Sequence, residues 1–198
     1  RGYQVILSQS HDEYLKEVAN TQILIECRVE GLVASLAMET RDYLHFQRFI
    51  EKDIPMVFVD QVVEHVNCDL VMIDNYAAGY SATQHLIDQG CRRIAHLGGR
   101  QSRKTYRDRQ KGYVQALIDH GIQVDESLII ESNALSAEEG TASASFLLNV
   151  PAPPDGVFAA NDTSAVSVIQ YAKSKKIKVP QELAVVGGEV QRGVHLLD

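Results

Sequence analysis

The sequence predicts an α/β protein in which helices are wound on both faces of parallel sheets. Short β-branched, apolar runs alternate with longer amphipathic segments along the whole chain, as in a series of βα units. Most of these runs are continuously apolar, which is typical of parallel strands covered on both faces. The strand-to-strand connections are therefore expected to be right-handed crossovers.

The strand candidates have the length of ordinary strands and number about eight, enough for one sheet or two. They are residues 3–7, 31–36, 56–60, 70–74, 93–99, 128–132, 156–161 and 183–188. The segments between them have helical spacing, for example Ala78, Ala82 and Leu86, which lie four residues apart. These segments are expected to cover the sheets.

Local signals predict where the helices begin and end. The predicted starts are the capping-box pairs Ser10 with Glu13 and Ser136 with Glu139, and the N-cap candidates Asn75 and Asp162. Gly90 and Gly121 stand where a helix gives way to a strand, as glycines do just after a helix end. The helices therefore have sequence-encoded boundaries.

Composition limits the classes of function. The chain has 198 residues, 45% hydrophobic and 23% charged, which is enough for a packed core. The formal net charge of −7 argues against a direct grip on DNA phosphates. Three widely spaced cysteines fit a reducing compartment, and no segment resembles a signal peptide or a membrane span, so cytoplasmic residence is expected.

Catalytic and cofactor motifs are absent from the sequence. The stretch "HLGGRQSRKTYR" follows a strand but matches neither nucleotide-binding glycine pattern, so a phosphate contact there is only a weak alternative. The seven histidines are scattered, and no serine lies in a GxSxG turn. The sequence therefore predicts no enzyme, no metal site and no cofactor.

Polar side chains stand at the predicted ends of several strands. They are Asp60, Asp74, Asn161 and Glu189. In open α/β sheets ligands bind beyond the carboxyl ends of the strands, so these residues form a candidate binding edge. Helix capping is the alternative for such residues, but it explains Asp60 and Asn161 less well, because a helix start is not predicted directly at either.

Arg109 is the candidate cation of this edge. It lies one helical turn before Tyr113, near a predicted helix start, where a positive charge opposes the helix dipole. A guanidinium offers a rigid fork of donors that suits a small polar or polyhydroxylated ligand. A structural pairing with Asp74 or Glu189 is the alternative. If Arg109 contacts the ligand, Arg109→Ala is expected to weaken ligand binding at least about tenfold and to leave the fold intact.

Several long segments together resemble one family. "VMIDNYAAGYSATQHLIDQGCRRIAHLGG", "RDRQKGYVQALIDHGIQVDESLI" and "DGVFAANDTSAVSVIQYAKSKKIKVPQELAVVGG" closely resemble the ligand-sensing domain of the lactose/galactose-repressor (LacI/GalR) family, as do "VEGLVASLA" and "IPMVFVDQ". The resemblance implies a periplasmic-binding-protein-like fold and a homodimer. It implies two subdomains, residues 1–75 and 76–198, with a small ligand bound between them. Both ends look truncated, and operator DNA would be bound by a helix-turn-helix head that precedes this segment.

The resemblance also implies the ligand contacts. They fall on Asp60, Ile73, Asp74, Arg109, Asn161 and Glu189. The chain departs from the family pattern after "VVG", where Gly188 replaces an aromatic residue and Glu189 replaces Asp or Asn. These departures remove a packing surface and lengthen the acid, so the family pattern does not identify the ligand.

The leading hypothesis is the effector-binding and dimerisation domain of a transcription repressor whose effector is a sugar or sugar derivative. A transport-linked periplasmic sugar-binding protein of the same fold is the alternative, and it predicts export and a monomer. An enzyme acting on a nucleotide or a sugar is the third reading, and it predicts turnover that depends on Asp60 or Glu189.

Overall fold

The computed structural model describes residues 2–40, 42–60 and 68–188. The chain divides into two compact units, Arg1–Ile73 and Asp74–Asp198, each of which has its own parallel sheet. The sequence-based division between residues 75 and 76 stays a prediction. None of the helices in the described ranges is long and apolar enough to cross a membrane.

The first unit is a three-stranded parallel sheet with two helices. Its elements are α1 (Tyr14–Glu26), β1 (Leu32–Ala34), α2 (Leu44–Ile50), β2 (Met56–Val59) and β3 (Asp69–Val71). The strand order is β1-β2-β3. Phe46, Phe49 and Phe58 are fully enclosed in its core, together with Leu24 of α1. The apolar faces of α1 and α2 therefore supply the burial that holds the sheet.

The strand predicted at residues 3–7 is wrong. The backbone there is not in a strand, and Val5 and Leu7 are 87% and 93% exposed. A strand needs a paired neighbour to satisfy its N–H and C=O groups. Within the described ranges, the strands of the first sheet pair only with one another. An apolar run without such a neighbour has no reason to be held as a strand.

The second unit is a doubly wound, four-stranded parallel sheet. Its elements are α3 (Asn75–Asp88), β4 (Ile94–Gly98), α4 (Lys104–Asp119), a 3-10 turn (Glu126–Leu128), β5 (Ile129–Glu131), α5 (Ala137–Leu148), β6 (Gly156–Ala159), α6 (Asp162–Ser174) and β7 (Ala184–Gly187). The strand order is β5-β4-β6-β7. The α/β class with parallel sheets is confirmed.

Each face of the second sheet has its own core. Ala95 and Leu97 of β4 belong to the core that includes residues of α5 and α6. Ile94 of the same strand belongs to the core that includes residues of α3 and α4. Alternate residues of one strand are thus buried on opposite faces, which explains the continuous apolar runs in the sequence.

Two glycines let α3 and α4 pack backbone against backbone. A Cβ atom at Gly79 would overlap the carbonyl oxygen of Arg109, and a Cβ atom at Gly112 would overlap the carbonyl oxygen of Tyr76. A side chain at either position would push the helices apart. This close approach fixes Arg109 against the beginning of α3.

The helix ends confirm some local predictions and correct others. Gly90 and Gly121 have φ of 98° and 66° just after α3 and α4, as predicted. The hydroxyl of Ser136 accepts a hydrogen bond from the backbone N–H of Glu139 at 3.2 Å, as predicted. The N-cap of α1 is Glu13 rather than Ser10, whose carbonyl receives the Glu13 N–H at 3.1 Å.

The two other predicted N-caps are off by one residue. The caps are Asp74, which accepts from Ala77 N, and Asn161, which accepts from Ser164 N, each at 2.9 Å. Asn75 and Asp162 are instead the first residues of α3 and α6. The preceding strands end earlier than the apolar runs suggest, so the residue assigned to a strand end is the one that caps the next helix.

Candidate functional site

The carboxyl ends of β4, β5, β6 and β7 form one edge of the second sheet, which we call the rim. The chain leaves these strands at Gly99, Ser132, Ala160 and Gly188. The ring of Tyr106 packs on Gly99, since a Cβ atom there would lie 2.5 Å from Tyr106 Cδ2. In open α/β sheets this edge is where ligands bind.

Arg109 lies at the rim and is 5% exposed. Its Nε donates to Asn75 Oδ1 at 2.9 Å, and its Nη1 donates to the carbonyl oxygen of Ala160. The guanidinium thus joins the first residue of α3 to the end of β6. The Asn75 amide and the Ala160 carbonyl are acceptors that the sequence did not suggest, because they come from positions 34 and 51 residues away.

The helix-dipole argument for Arg109 is wrong. Helix α4 begins at Lys104, so Arg109 lies in its second turn, where the effect of the dipole has fallen off. Its burial and its hydrogen bonds to Asn75 and Ala160 give it a structural role in any case. The ligand role of Arg109 stays a prediction.

Asn161 and Asp74, both predicted ligand contacts, are positioned by their capping bonds. Asn161 also donates from Nδ2 to the carbonyl oxygen of Leu135 at 3.1 Å. Leu135 is buried and has φ of 51°, so Asn161 helps to hold a left-handed residue in the loop after β5. Part of the hydrogen-bonding capacity of Asn161 is therefore used within the fold.

The remaining predicted contacts lie elsewhere or outside the described residues. Asp60 follows β2 in the first unit, is exposed, and has φ of 58°, while its N–H donates to Val71 O at 3.1 Å. Ile73 follows β3 and is 50% exposed. Glu189 falls outside the described ranges. The assignment of these three residues as ligand contacts stays a prediction.

Sequence reasoning missed Arg103. It occupies the N-cap position of α4 and is 9% exposed. Arg107, one turn further on, donates from Nη1 to Gln101 O at 3.1 Å and so folds back over the same loop. Arg100 and Arg103 precede α4 and Arg107 lies in its first turn, so the arginines of "RQSRKTYR" stand around the start of this helix.

His96 lies below the rim, fully buried on β4. Its ring stacks between Tyr113 and Phe158, with centroid distances of 5.2 and 4.7 Å. Burial lowers the pKa of His96 to about 4, against a smaller opposite effect of the hydrogen bond with Phe158 O, and the nearby charge of Arg109 lowers it by the least of the three. Since Nδ1 faces that carbonyl at 3.0 Å, Nδ1 carries the proton of a neutral ring.

We expect His96 to make stability fall with acid. The unfolded ring binds its proton near pH 6.5 and the folded ring only near 4, so the folded state loses stability as the pH drops through that window. The loss is about 3 kcal/mol. Urea unfolding of His96→Phe should lack this part of the pH dependence, whereas the surface control His120→Gln should keep it. If the pH dependence of the free energy of unfolding were unchanged in His96→Phe, the His96 ring would not be its cause.

Beyond the rim, the described surface has open grooves but no candidate metal cluster. Among the described residues, no group of three His, Cys, Asp or Glu side chains could hold a metal ion. Two open grooves of about 430 and 480 Å³ are lined by residues such as Gly90 and Cys91, and Arg92 and Ile122, respectively. Those residues precede β4 or follow α4, so the grooves lie at the edge of the second sheet opposite the rim.

This architecture is that of a doubly wound α/β domain with a candidate ligand-binding edge. The model of the periplasmic binding protein-like domain family matches residues 83–193, more than half of the chain, and the chain belongs to this family. The chain is 32% identical over 187 residues to the HTH-type transcriptional regulator DegA of Bacillus subtilis, covering 94% of this chain and 55% of that protein. The chain therefore spans about half the length of this relative.

Two solved structures share the fold. The transcription regulator CcpA of Lactococcus lactis has a TM-score of 0.82 and 28% identity, over 92% of this chain and 66% of that one. The transcriptional regulator CelR–cellobiose complex has a TM-score of 0.76 and 29% identity, over 88% of this chain and 53% of that one. The resemblance to the LacI/GalR regulators is confirmed. The relatives named here are transcription regulators rather than enzymes, in agreement with the sequence-based expectation.

Proposed function

We propose that the chain is the effector-binding and dimerisation domain of a LacI/GalR-type transcription repressor. A small polar effector, a sugar or a sugar derivative, binds at the rim. The observation that carries this proposal is Arg109, a buried guanidinium held at the carboxyl edge of a doubly wound sheet by Asn75 and Ala160. Such a cation serves hydroxyl or carbonyl groups well, because a charge-assisted hydrogen bond contributes about 1.5–3 kcal/mol.

Different relatives support a sugar as the effector and transcription regulation as the function. The CelR structure is a complex with cellobiose, a polyhydroxylated ligand of the kind that Arg109 suits. DegA and CcpA are named as transcription regulators, which favours regulation over transport for this chain. The sequence-based placement of the effector between the two subdomains stays a prediction.

Regulation follows from differential affinity. An effector that binds one arrangement of the domain more tightly than another shifts the populations of the two, and a tenfold preference corresponds to about 1.4 kcal/mol of coupling. The DNA affinity of a helix-turn-helix domain in the full-length protein then changes by the same linkage. The net charge of −7 on this chain is consistent with DNA contact through that other domain. The proposed setting is the cytoplasm, where such a regulator meets DNA, and the proposed assembly is a homodimer.

The full-length protein tests the proposal. We expect its operator affinity, measured by fluorescence anisotropy on genomic fragments from around its own gene, to change in the presence of cellobiose or a related sugar. Sedimentation should show a dimer. A monomer that binds no DNA and does bind sugar would favour the transport alternative instead.

A further inference from the structure

A second buried polar group lies in the first unit and takes no part in the proposed site. Glu17 of α1 is 6% exposed. Its carboxylate accepts hydrogen bonds from Ala37 N at 2.6 Å, Thr40 Oγ1 at 2.6 Å and His45 Nε2 at 2.8 Å. A buried carboxylate is unfavourable unless such donors compensate it. Glu17 therefore joins α1, α2 and the segment after β1.

Glu17 remains an acceptor at neutral pH. Burial raises the pKa of this carboxyl, but the hydrogen bonds from His45, Thr40 and Ala37 outweigh that effect, and the pKa lies below its ordinary value. The ionised form can accept from all three donors at once. A neutral carboxylic acid would accept these bonds less well, because one of its oxygens would carry a proton that needs an acceptor of its own.

The segment 36–40, which we call the β1 exit, is bound to α1 and to the turn that precedes it. Beyond the contact of Ala37 with Glu17, Met38 N donates to Asp12 Oδ1 at 3.1 Å, and Glu39 N donates to the Asp12 carbonyl at 3.2 Å. Tyr14 N donates to Glu39 Oε2 at 3.2 Å. Three consecutive backbone donors of the β1 exit are thus satisfied by residues 12–17 rather than by water.

The β1 exit lies at the edge of the first sheet that carries Asp60. Strands β1 and β2 are parallel neighbours, with Ala34 opposite Phe58. The chain therefore leaves both strands at the same edge, into the β1 exit and into Asp60 respectively. Asp60 is the predicted effector contact of this unit.

We propose that Glu17 is a positioning residue that sets the conformation of the β1 exit beside Asp60. Glu17 touches no effector in this account; it acts through the backbone of Ala37 and the hydroxyl of Thr40. Its consequence for effector recognition rests on the proposed function, whereas the positioning itself does not.

The hydrogen bonds predict which substitution is tolerated. His45 Nδ1 has no hydrogen-bond partner among the described residues, so no second bond locks the tautomer of the ring. In Glu17→Gln the amide oxygen can take the place of Oε2 and accept from Ala37 N. The amide NH2 then takes the place of Oε1, where it can donate to Thr40 Oγ1 and, once the ring proton moves to Nδ1, to His45 Nε2. Gln therefore keeps the hydrogen bond with Ala37 N, and Ala removes it.

Hydrogen exchange of the ¹⁵N-labelled chain tests the proposal. In Glu17→Ala the amides of Ala37 and Met38 should exchange at least about tenfold faster, because their local protection is lost. In Glu17→Gln they should stay within about threefold of the parent chain. Amides of the second unit, such as Val157, should not change in either variant. The matched control is Glu13→Ala, which removes a carboxylate that is half exposed at the start of the same helix.

If the Glu17→Ala protein folds and the exchange rate of the Ala37 amide is unchanged, the proposal is overturned. It is also overturned if Glu17→Gln raises that exchange rate as much as Glu17→Ala does. If Glu17→Ala unfolds the first unit, Thr40→Val is the second variant, since it removes one donor and keeps the shape. Exchange at Ala37 and Met38 should then rise by more than about threefold, beyond the range expected for Gln, and exchange within that range again overturns the proposal. None of these measurements uses effector or DNA, so a negative result does not affect the proposed function. Likewise, failure of the proposed function does not affect the positioning role of Glu17.

Discussion

Gly112→Leu is expected to unfold the second unit or to lower its free energy of unfolding by more than about 4 kcal/mol. Any side chain at this position meets backbone rather than a flexible side chain, since its Cβ atom would overlap Tyr76 O and lie 2.6 Å from Tyr80 N. Helices α3 and α4 cannot both stay in place. Their separation would open the core around Tyr113 and Leu86.

The matched control is Lys111→Leu, which places the same side chain at the preceding residue of α4, where the chain is exposed. Its effect should stay within about 0.5 kcal/mol. Urea unfolding followed by circular dichroism measures both. A Gly112→Leu protein as stable as the Lys111→Leu control would mean that the backbone contact between the two helices is wrong.

Arg109→Met is expected to destabilise the second unit by about 2–4 kcal/mol. The substitution keeps much of the apolar stem but leaves Asn75 Oδ1 and the Ala160 carbonyl without this donor in a buried place. The expectation from sequence that Arg109→Ala leaves the fold intact is therefore revised. Ala should cost at least as much as Met, because it also leaves a cavity.

Arg109→Lys separates the two roles of this residue. An ammonium keeps the charge but lacks the planar fork, so it can satisfy one acceptor and not hold both in place. We expect a smaller loss of stability than for Met, with effector binding still weakened at least about tenfold. Arg92→Met, at an exposed arginine of the same unit, is the control for loss of a charge. If the Arg109→Lys variant bound effector as tightly as the parent chain, Arg109 would not be an effector contact.

The strands could be predicted where they are buried on both faces, because such strands have continuously apolar sequences. The segments around Ala95 and Val157 are such runs, and each forms a strand that is buried along its length in a parallel sheet. The run at residues 3–7 has the same composition and forms none. Strand formation depends on a neighbour that is distant in sequence, and composition does not report whether that neighbour is there.

The candidate site could be predicted only in part, for two physical reasons. Asp74 and Asn161 were found because strand ends in parallel sheets share one edge, but their capping roles were assigned one residue too late, since strand ends are poorly marked in sequence. Partnerships such as Arg109 with Ala160 could not be found, because they join residues 51 positions apart through a backbone carbonyl. The Glu17 cluster escaped for the same reason.

A titration of the ¹⁵N-labelled chain with cellobiose, D-glucose and related sugars tests the central claim most directly. We predict that a binding sugar shifts the Arg109 Nε–H signal and the amides of Gly99 and Asn161. We also predict that the binding is lost in Arg109→Lys. Shifts confined to the opposite edge, at Gly90 and Cys91, or binding that is unchanged in Arg109→Lys, would contradict the account.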